Sequence, residues 1–315
     1  MSETYSIREF SESELADTLA ALNACLPPLR RRTVQDWRRD DAPHEQSPVI
    51  GLRLVAGTPV AGFLDVQDSS TTTVRTAGVV EGELYVAPHA RSRGIGAALY
   101  ARAEAFARER GAATLDAWFY QDGAEGVGSA FLRRRGFAEH QRRITSHLDL
   151  ASFDADRFAD HIASAEHSDV RLLAYDEMFD SVEQRHRLYA LFGSFYTMAP
   201  YEQWEAVYFR STDWPERILV LAETSGRWVG LSFIAPFNRA AGVARIPFTG
   251  TLPEYRGRGI ATALKVRAAA LAQARGVRVV VTANRVENAP ILAINRALGF
   301  VPGPFELTYR KTLEA

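Results

Sequence analysis

At 315 residues the chain exceeds the roughly 250 to 300 at which single cores stop growing, so its length and 47% hydrophobic content point to two globular domains. A net charge of −1 argues against a general nucleic-acid binder, which would show a basic excess. The single cysteine, Cys25, precludes an internal disulfide, no apolar run reaches roughly 18 residues, and Met1 to Ile7 lack a basic or apolar leader, so the expected place is the cytoplasm with no membrane partner.

In chain order, Tyr5 to Phe10 reads as a first strand. Ser11 to Leu26 carries Leu15, Leu19 and Leu22 at helical spacing and stops at Pro27-Pro28; a shorter helix is predicted around Val34 to Arg39. Between them Arg30-Arg31-Arg32 is a charge run whose simplest reading is a solvated turn. Pro48 to Ala56 and Pro59 to Val66, joined by Gly57-Thr58, read as a hairpin, and Val74 to Val86 as the next strand. That strand enters the turn Pro88-His89-Ala90-Arg91-Ser92-Arg93-Gly94-Ile95-Gly96, followed by a helix with Ala98, Leu99, Ala103 and Phe106. Thr114 to Tyr120 and Phe137 to Leu150 supply later strands, with a helix over Val127 to Arg135 between them.

Ala151 to Asp169 is polar, with one short helical pattern around Phe153 to Ile162, and marks a junction. Val170 to Tyr175 restarts the pattern as a strand. A helix is predicted over Val182 to Met198, with Trp204 to Phe209 on the next. Ile218 to Glu223 and Trp228 to Ile234 form a hairpin around Ser225-Gly226, and Val243 begins a β-branched strand that ends in Thr251-Leu252-Pro253-Glu254-Tyr255-Arg256-Gly257-Arg258-Gly259-Ile260-Ala261. A helix with Leu264, Ala268, Leu271 and Ala274 follows, then a strand over Val277 to Val281, Asn284-Arg285-Val286-Glu287-Asn288-Ala289-Pro290, a second helix to Gly299-Phe300, and a closing strand over Phe305 to Leu313.

The two halves repeat. Pro88 and Pro253, Arg91 and Arg256, Gly94 and Gly259, Leu99 and Leu264, and Gly111 and Gly276 each stand 165 residues apart; Gly136-Phe137 and Gly299-Phe300 stand 163 apart. A repeat this long means two copies of a domain rather than a solenoid, whose period would be roughly 20 to 50 residues. The copies are drawn as residues 1–150 and 169–315, with 151–168 as linker. Each runs strand, two helices, three strands, helix, strand, helix, strand, a mixed α/β order.

In both copies an arginine- and glycine-rich turn opens directly onto a helix, so free backbone N–H groups converge where the helix dipole is positive. Such a turn can hold phosphate, with glycines letting the backbone approach and arginines adding charge. Arg256-Gly257-Arg258-Gly259-Ile260-Ala261, together with the later strand, Asn-x-x-x-Asn-x-Pro, helix and Gly-Phe, resembles the pyrophosphate-binding and second cofactor-contacting blocks of the GNAT family of N-acetyltransferases. The resemblance covers essentially the whole chain, twice. It implies two tandem GNAT-like domains, acetyl-CoA as co-substrate, and transfer of an acetyl group to an amine of a small molecule or a protein.

The resemblance carries cofactor binding onto Val86, Arg91, Arg93, Gly94, Ile95, Gly96 and Ala97 in the first copy. In the second it falls on Thr249, Thr251, Arg256, Gly257, Arg258, Gly259, Ile260, Ala261, Thr262, Asn284, Asn288 and Asn295. The second match is fuller, because Ala117 to Gly128 contains no Asn, and it points to the C-terminal half as the cofactor site. Asn288 is also a good helix N-cap. Family members commonly use a carboxylate base on the strand before the turn; Glu83 stands there, and its counterpart is Phe248. Where a proton-donating Tyr is usual, the copies hold Leu132 and Asn295, so a different Tyr serves or the thiolate leaves unassisted; Asn295 can donate a hydrogen bond only. Phe192, Phe195, Tyr196, Tyr201, Trp204 and Tyr208 read as core, or as an aromatic wall for the acceptor. The scattered histidines give no metal-binding spacing. The alternative is a CoA-binding regulatory protein with one degenerate copy.

Overall fold

The computed structural model describes residues 5–40, 49–122, 126–167, 169–175, 181–209 and 217–314. Met1 to Thr4, Pro48 of the first hairpin, Ser168 at the end of the expected linker, and residues 123–125 of the Asn-free stretch lie outside the described residues. Contacts divide the chain into two compact units, Met1–Arg143 with Pro304–Ala315, and Ile144–Gly303. The repeat divides the sequence into copies; the contact units divide it elsewhere. Strand β6 (Ala138–Asp149) begins in the first unit and ends in the second, and β12 (Val301–Thr312) does the reverse.

In the first unit β1 (Ile7–Glu9), β2 (Gly51–Ala56), β3 (Gly62–Asp68) and β4 (Val79–Val86) form an antiparallel run. β5 (Thr114–Gln121) joins β4 in parallel, and Phe305–Thr312 of β12 pairs antiparallel along the whole of β5. Alternation along the strands splits the core between two faces. Leu54, Leu64, Val66 and Val80 pack with Ile95, Leu99 and Ala103 of α3 (Ile95–Glu109), and Leu307 and Tyr309 of β12 join them. Val55, Phe63 and Tyr85 pack on the other face with Leu15, Leu19 and Leu22 of α1 (Leu15–Asn23) and Trp37 of α2 (Val34–Asp40). α4 (Val127–Arg133) precedes β6.

The second unit repeats the order. β7 (Arg171–Ala174), β8 (Ile218–Thr224), β9 (Arg227–Asn238) and β10 (Val243–Thr251) run antiparallel, and β11 (Val279–Arg285) joins β10 in parallel. Around them stand α5 (Ala159–His167), α6 (Val182–Gly193), α7 (Tyr201–Phe209), α8 (Ile260–Ala274) and α9 (Ala289–Ala297). Trp204, Phe192, Leu221, Val229 and Leu264 share one core cluster, so these aromatics are core.

Several sequence expectations shift; the strand read from Val74 begins only at Val79, and the one read over Val277 to Val281 runs Val279–Arg285. The helix predicted to Met198 stops at Gly193, while its start is fixed by a capping box between Ser181 and Gln184. The pattern at Phe153 to Ile162 becomes a 3-10 turn at Asp156–Phe158 and an α-helix from Ala159, with Phe153 buried ahead of both and stacked on Phe158 at 6.0 Å. Arg30, read as part of a solvated turn, is buried. No helix among the described residues is long and apolar enough to cross a membrane.

Candidate functional site

The two turns are built alike. Gly94 and Gly259 cap α3 and α8 at φ 86° and 76°, in the left-handed region that favours glycine. The first amides inside the helical ladders are those of Ala98, bonded to the Gly94 carbonyl at 3.0 Å, and Ala263, bonded to that of Gly259 at 3.1 Å. The N–H groups of Ile95, Gly96 and Ala97, and of Ile260, Ala261 and Thr262, therefore lie ahead of the ladder and converge at the helix start. Arg91 Nε donates to the Val86 carbonyl at 3.2 Å, and Arg256 Nε to that of Thr251 at the same distance, so each arginine braces its turn on the strand before it. Arg93 donates to the Tyr5 hydroxyl at 2.9 Å and Arg258 to the Glu254 carbonyl at 3.1 Å. Gly257 has φ 76°, and Ser92, its counterpart, is held at φ 61° with a side chain.

Past each turn the parallel strands part. β4 pairs with β5 only from Val79 to Gly82, although both run four residues further; β10 pairs with β11 only from Val243 to Arg245. In the first copy this gap holds a cavity of about 420 Å³. Gly94, Gly96, Ala97, Tyr100 and Phe131 line it on the α3 face, and Glu83, Tyr85, Trp118 and Tyr120 line it from the opposite face. The space thus crosses the sheet, from the phosphate-type turn to a buried carboxyl. Its lining fits a slender chain ending in an acyl group, with the turn's amides and Gly94, where an added Cβ would touch nothing, placed for phosphates.

Glu83 ends a row that crosses three strands, since Arg53 faces Asp65 and Asp65 faces Glu83. Arg53 is committed to Asp65, with bonds of 3.1 and 2.9 Å. The Tyr85 hydroxyl donates to Glu83 Oε2 at 2.8 Å. Burial pushes the Glu83 carboxyl up to about 7, with Arg32 opposing and Asp65 reinforcing the shift. Tyr85 and Tyr120 are both raised above the ordinary phenol value, first by burial, and stay protonated at neutral pH.

The second copy is different chemistry on the same frame. Phe248 stands at the Glu83 position, its ring 4.8 Å from that of Phe195 and 5.3 Å from that of Tyr196. It lies so close over Gly250, the counterpart of Tyr85, that a Cβ there would meet it at 2.3 Å. Thr249 shares a 2.9 Å hydroxyl hydrogen bond with Ser232, and Thr251 Oγ1 is buried without a partner among the described residues. Asn288 caps α9, accepting from the Ile291 amide at 3.4 Å. Asn295 is buried in a chain of hydrogen bonds: Lys265 Nζ donates to its Oδ1 at 2.7 Å, and its Nδ2 donates to Asn284 Oδ1 at 2.8 Å. Lys265 also lies 4.7 Å from the centre of the Phe300 ring, and burial holds its ammonium down at about 7. Its counterpart is Tyr100, a cavity-lining residue of the first copy. Sequence reasoning passed over Lys265; the signal was a cation at the Tyr100 position, flanked by Leu264 and Val266.

Comparison with known proteins agrees with this frame. The acetyltransferase (GNAT) family model matches twice, over residues 12–137 and 184–300, and the chain belongs to that family. It is similar in fold to a tandem GNAT protein from the clavulanic acid biosynthesis pathway, at TM-score 0.75 and 20% identity over 99% of both chains. It is also similar to a GCN5-related N-acetyltransferase from Sphaerobacter thermophilus, at TM-score 0.72 and 17% identity over 99% of this chain and 96% of the other. A glucosamine N-acetyltransferase region of a fungal multi-domain β-N-acetylglucosaminidase matches at TM-score 0.70 and 17% identity, over 97% of this chain and 38% of that one. No curated protein matches the chain in sequence.

Proposed function

We propose that the protein is an acetyl-CoA-dependent N-acetyltransferase whose N-terminal copy carries the reaction. The observation that supports this most is the cavity that runs through the β4–β5 gap from the Arg91 to Ala97 turn to Glu83. The C-terminal copy has the fuller sequence match, but of the two residues that made it fuller Asn284 is bonded into the Lys265 network and Asn288 caps α9.

The amides of Ile95, Gly96 and Ala97 receive the pyrophosphate of acetyl-CoA, and Arg91 holds the turn in place. Beyond Gly82 the β5-facing edge of β4 has no strand partner among the described residues, which leaves backbone N–H groups to polarise the thioester carbonyl. The acceptor arrives as an ammonium and must lose a proton to attack. Glu83, with its carboxyl near 7, is suited to accept that proton directly or through one water, while Tyr85 fixes its orientation. The amine nitrogen then bonds to the carbonyl carbon, the carbon–sulfur bond breaks, and CoA departs as thiolate, while the second proton of the acylated nitrogen passes to water or to the departing thiolate.

The test is release of CoA thiol from acetyl-CoA with a panel of amines. Amine-dependent release lost in Glu83→Gln supports the reading; release that ignores Glu83 sinks it. A second reading, a CoA-binding regulator with one degenerate copy, is favoured by the Lys265 network; on that reading no amine accelerates release.

A further inference from the structure

We propose that Tyr120 is the acid of the transfer reaction, its phenol giving a proton to the sulfur of CoA as the carbon–sulfur bond breaks. The inference rests on the N-terminal copy being the transfer site.

A thiolate set free in this cavity needs a proton. Cys25 lines the same space, and burial raises its thiol above the ordinary value although Arg91 opposes the shift. A CoA sulfur leaving into such surroundings is a stronger base than in water, because little is there to solvate its charge. Leu132 stands where a donor is usual and has no proton to give.

Three phenols line the cavity: Tyr85, Tyr100 and Tyr120. Tyr85 already donates to Glu83 Oε2 at 2.8 Å, so its proton is held by the base. Tyr100 accepts from Lys311 Nζ at 2.8 Å and is also bonded to Glu104, so its hydroxyl is engaged on both sides. The Tyr120 hydroxyl makes no hydrogen bond among the described residues. Tyr120 stands on β5 beyond the last pairing with β4, Gly82 with Ala117, where the strands have parted, and it lines the space from the same face as Glu83.

Giving up that proton leaves a phenolate, which a buried place tolerates only beside positive charge. Burial raises the Tyr120 phenol; Arg30 is the charge that most opposes the rise, Arg32 also lowers it, and Glu306 and Glu83 add to it. The Arg30 guanidinium carbon lies 5.3 Å from the centre of the Tyr120 ring and acts by its charge across that ring, whatever its donors hold. When Glu83 accepts the first proton of the ammonium its own charge disappears, and the phenol becomes a stronger acid just as the sulfur begins to leave. The amine nitrogen bonds to the carbonyl carbon, the carbon–sulfur bond breaks, and the sulfur takes the Tyr120 proton. The phenolate then takes the second proton of the acylated nitrogen, directly or through water, and Glu83 releases the first to solvent. Ammonium and acetyl-CoA thus give amide, CoA thiol and one proton. In the second copy the same strand register puts Arg285 at the Tyr120 position and Phe248 at that of Glu83. Arginine keeps its proton at neutral pH, so neither acid nor base stands there.

The test follows CoA release in single turnovers, with ethanolamine, benzylamine, tyramine and spermidine as acceptors. It uses the intact wild-type chain, Tyr120→Phe, and the chain carrying 3,5-difluorotyrosine at position 120, whose phenol is a stronger acid. Tyr120→Phe should slow release by about a hundredfold, the usual worth of a positioned acid, while calorimetry shows acetyl-CoA still bound. In the fluorinated chain, fluorine NMR of the protein alone gives the pH at which the phenol ionises, and the release rate should fall at alkaline pH with that same midpoint. Arg30→Gln should move the midpoint and the fall upward together, a link that a side chain serving only to pack would not produce. Release by Tyr120→Phe at the wild-type rate, or a fluorinated chain whose rate ignores the midpoint, overturns Tyr120 as the acid and leaves the transfer site standing. If the wild type releases CoA with none of the four amines, the transfer reading fails and Tyr120 with it.

Discussion

The two copies share a frame and differ in what fills it. In the first, the gap between the parallel strands is a cavity with a carboxyl and three aromatic rings at its far end. In the second, the corresponding carboxyl is Phe248, folded over Gly250, and the tyrosine of the helix face is Lys265, tied to Asn295 and Asn284. Turn geometry has been kept in both, down to the arginine that grips the last strand carbonyl. On the proposed reading, a phosphate-type turn reports ancestry more faithfully than it reports a working site, because the backbone needs its glycines whether or not a ligand comes.

The comparison breaks most sharply at Glu83. Glu83→Gln should lower kcat by about a hundredfold or more, the usual worth of a positioned base, with acetyl-CoA binding retained. Steady-state rates set beside a binding titration check this. The wild-type rate should climb as pH rises through about 7, where the carboxyl ionises, and Glu83→Gln should flatten that rise. Arg32, Arg53, Asp65 and Tyr85 all act on this carboxyl, so Arg32→Gln should move the midpoint upward.

Next in size is the closing strand. Tyr309 is 1% exposed and sits on β12, which completes the first unit's sheet by pairing with β5. Tyr309→Ala should cost about 3 to 5 kcal/mol by denaturant titration, the range for truncating a large buried side chain, and should disturb the N-terminal site although residue 309 lies in the C-terminal copy. A fragment of residues 1–150 lacks this strand and should fail to fold cooperatively; a well-folded fragment would show that β12 is dispensable.

A stability effect of Glu83 follows from its raised value. Its folded form holds a proton that the unfolded chain releases near 4.5, so it costs nothing below that pH and destabilises progressively as pH rises through about 7. Glu83→Gln should therefore be more stable than wild type at pH 8 by up to ~3 kcal/mol, and the gain should vanish near pH 4, as thermal melts at the two values would show. The smallest effect is expected at Ser92, held at φ 61° where the second copy has glycine. Ser92→Gly should raise stability by about 0.5 kcal/mol, strain relief being partly offset by unfolded-state entropy.

What was legible in the sequence was local. Gly94, Gly259, Pro88 and Pro253 declare the turns because backbone conformation selects those residues at fixed positions, and the repeat doubled the signal. Phe248 opposite Glu83 was visible from the spacing alone. Three features were not, and each depends on distant partners. Lys265 is buried through Asn295, thirty positions away in the chain. Arg30 is buried because Tyr120 comes to lie under it, and a charge run carries no mark of that. The closing strand alternates as a strand should, but only strand pairing shows that it belongs to the first unit.

The most direct measurement is a calorimetric titration of the intact protein with acetyl-CoA, repeated on Gly94→Trp. One equivalent bound by the wild type and none by Gly94→Trp is the result the account predicts. Two equivalents, or one that survives Gly94→Trp, would place the cofactor in the C-terminal copy and contradict it.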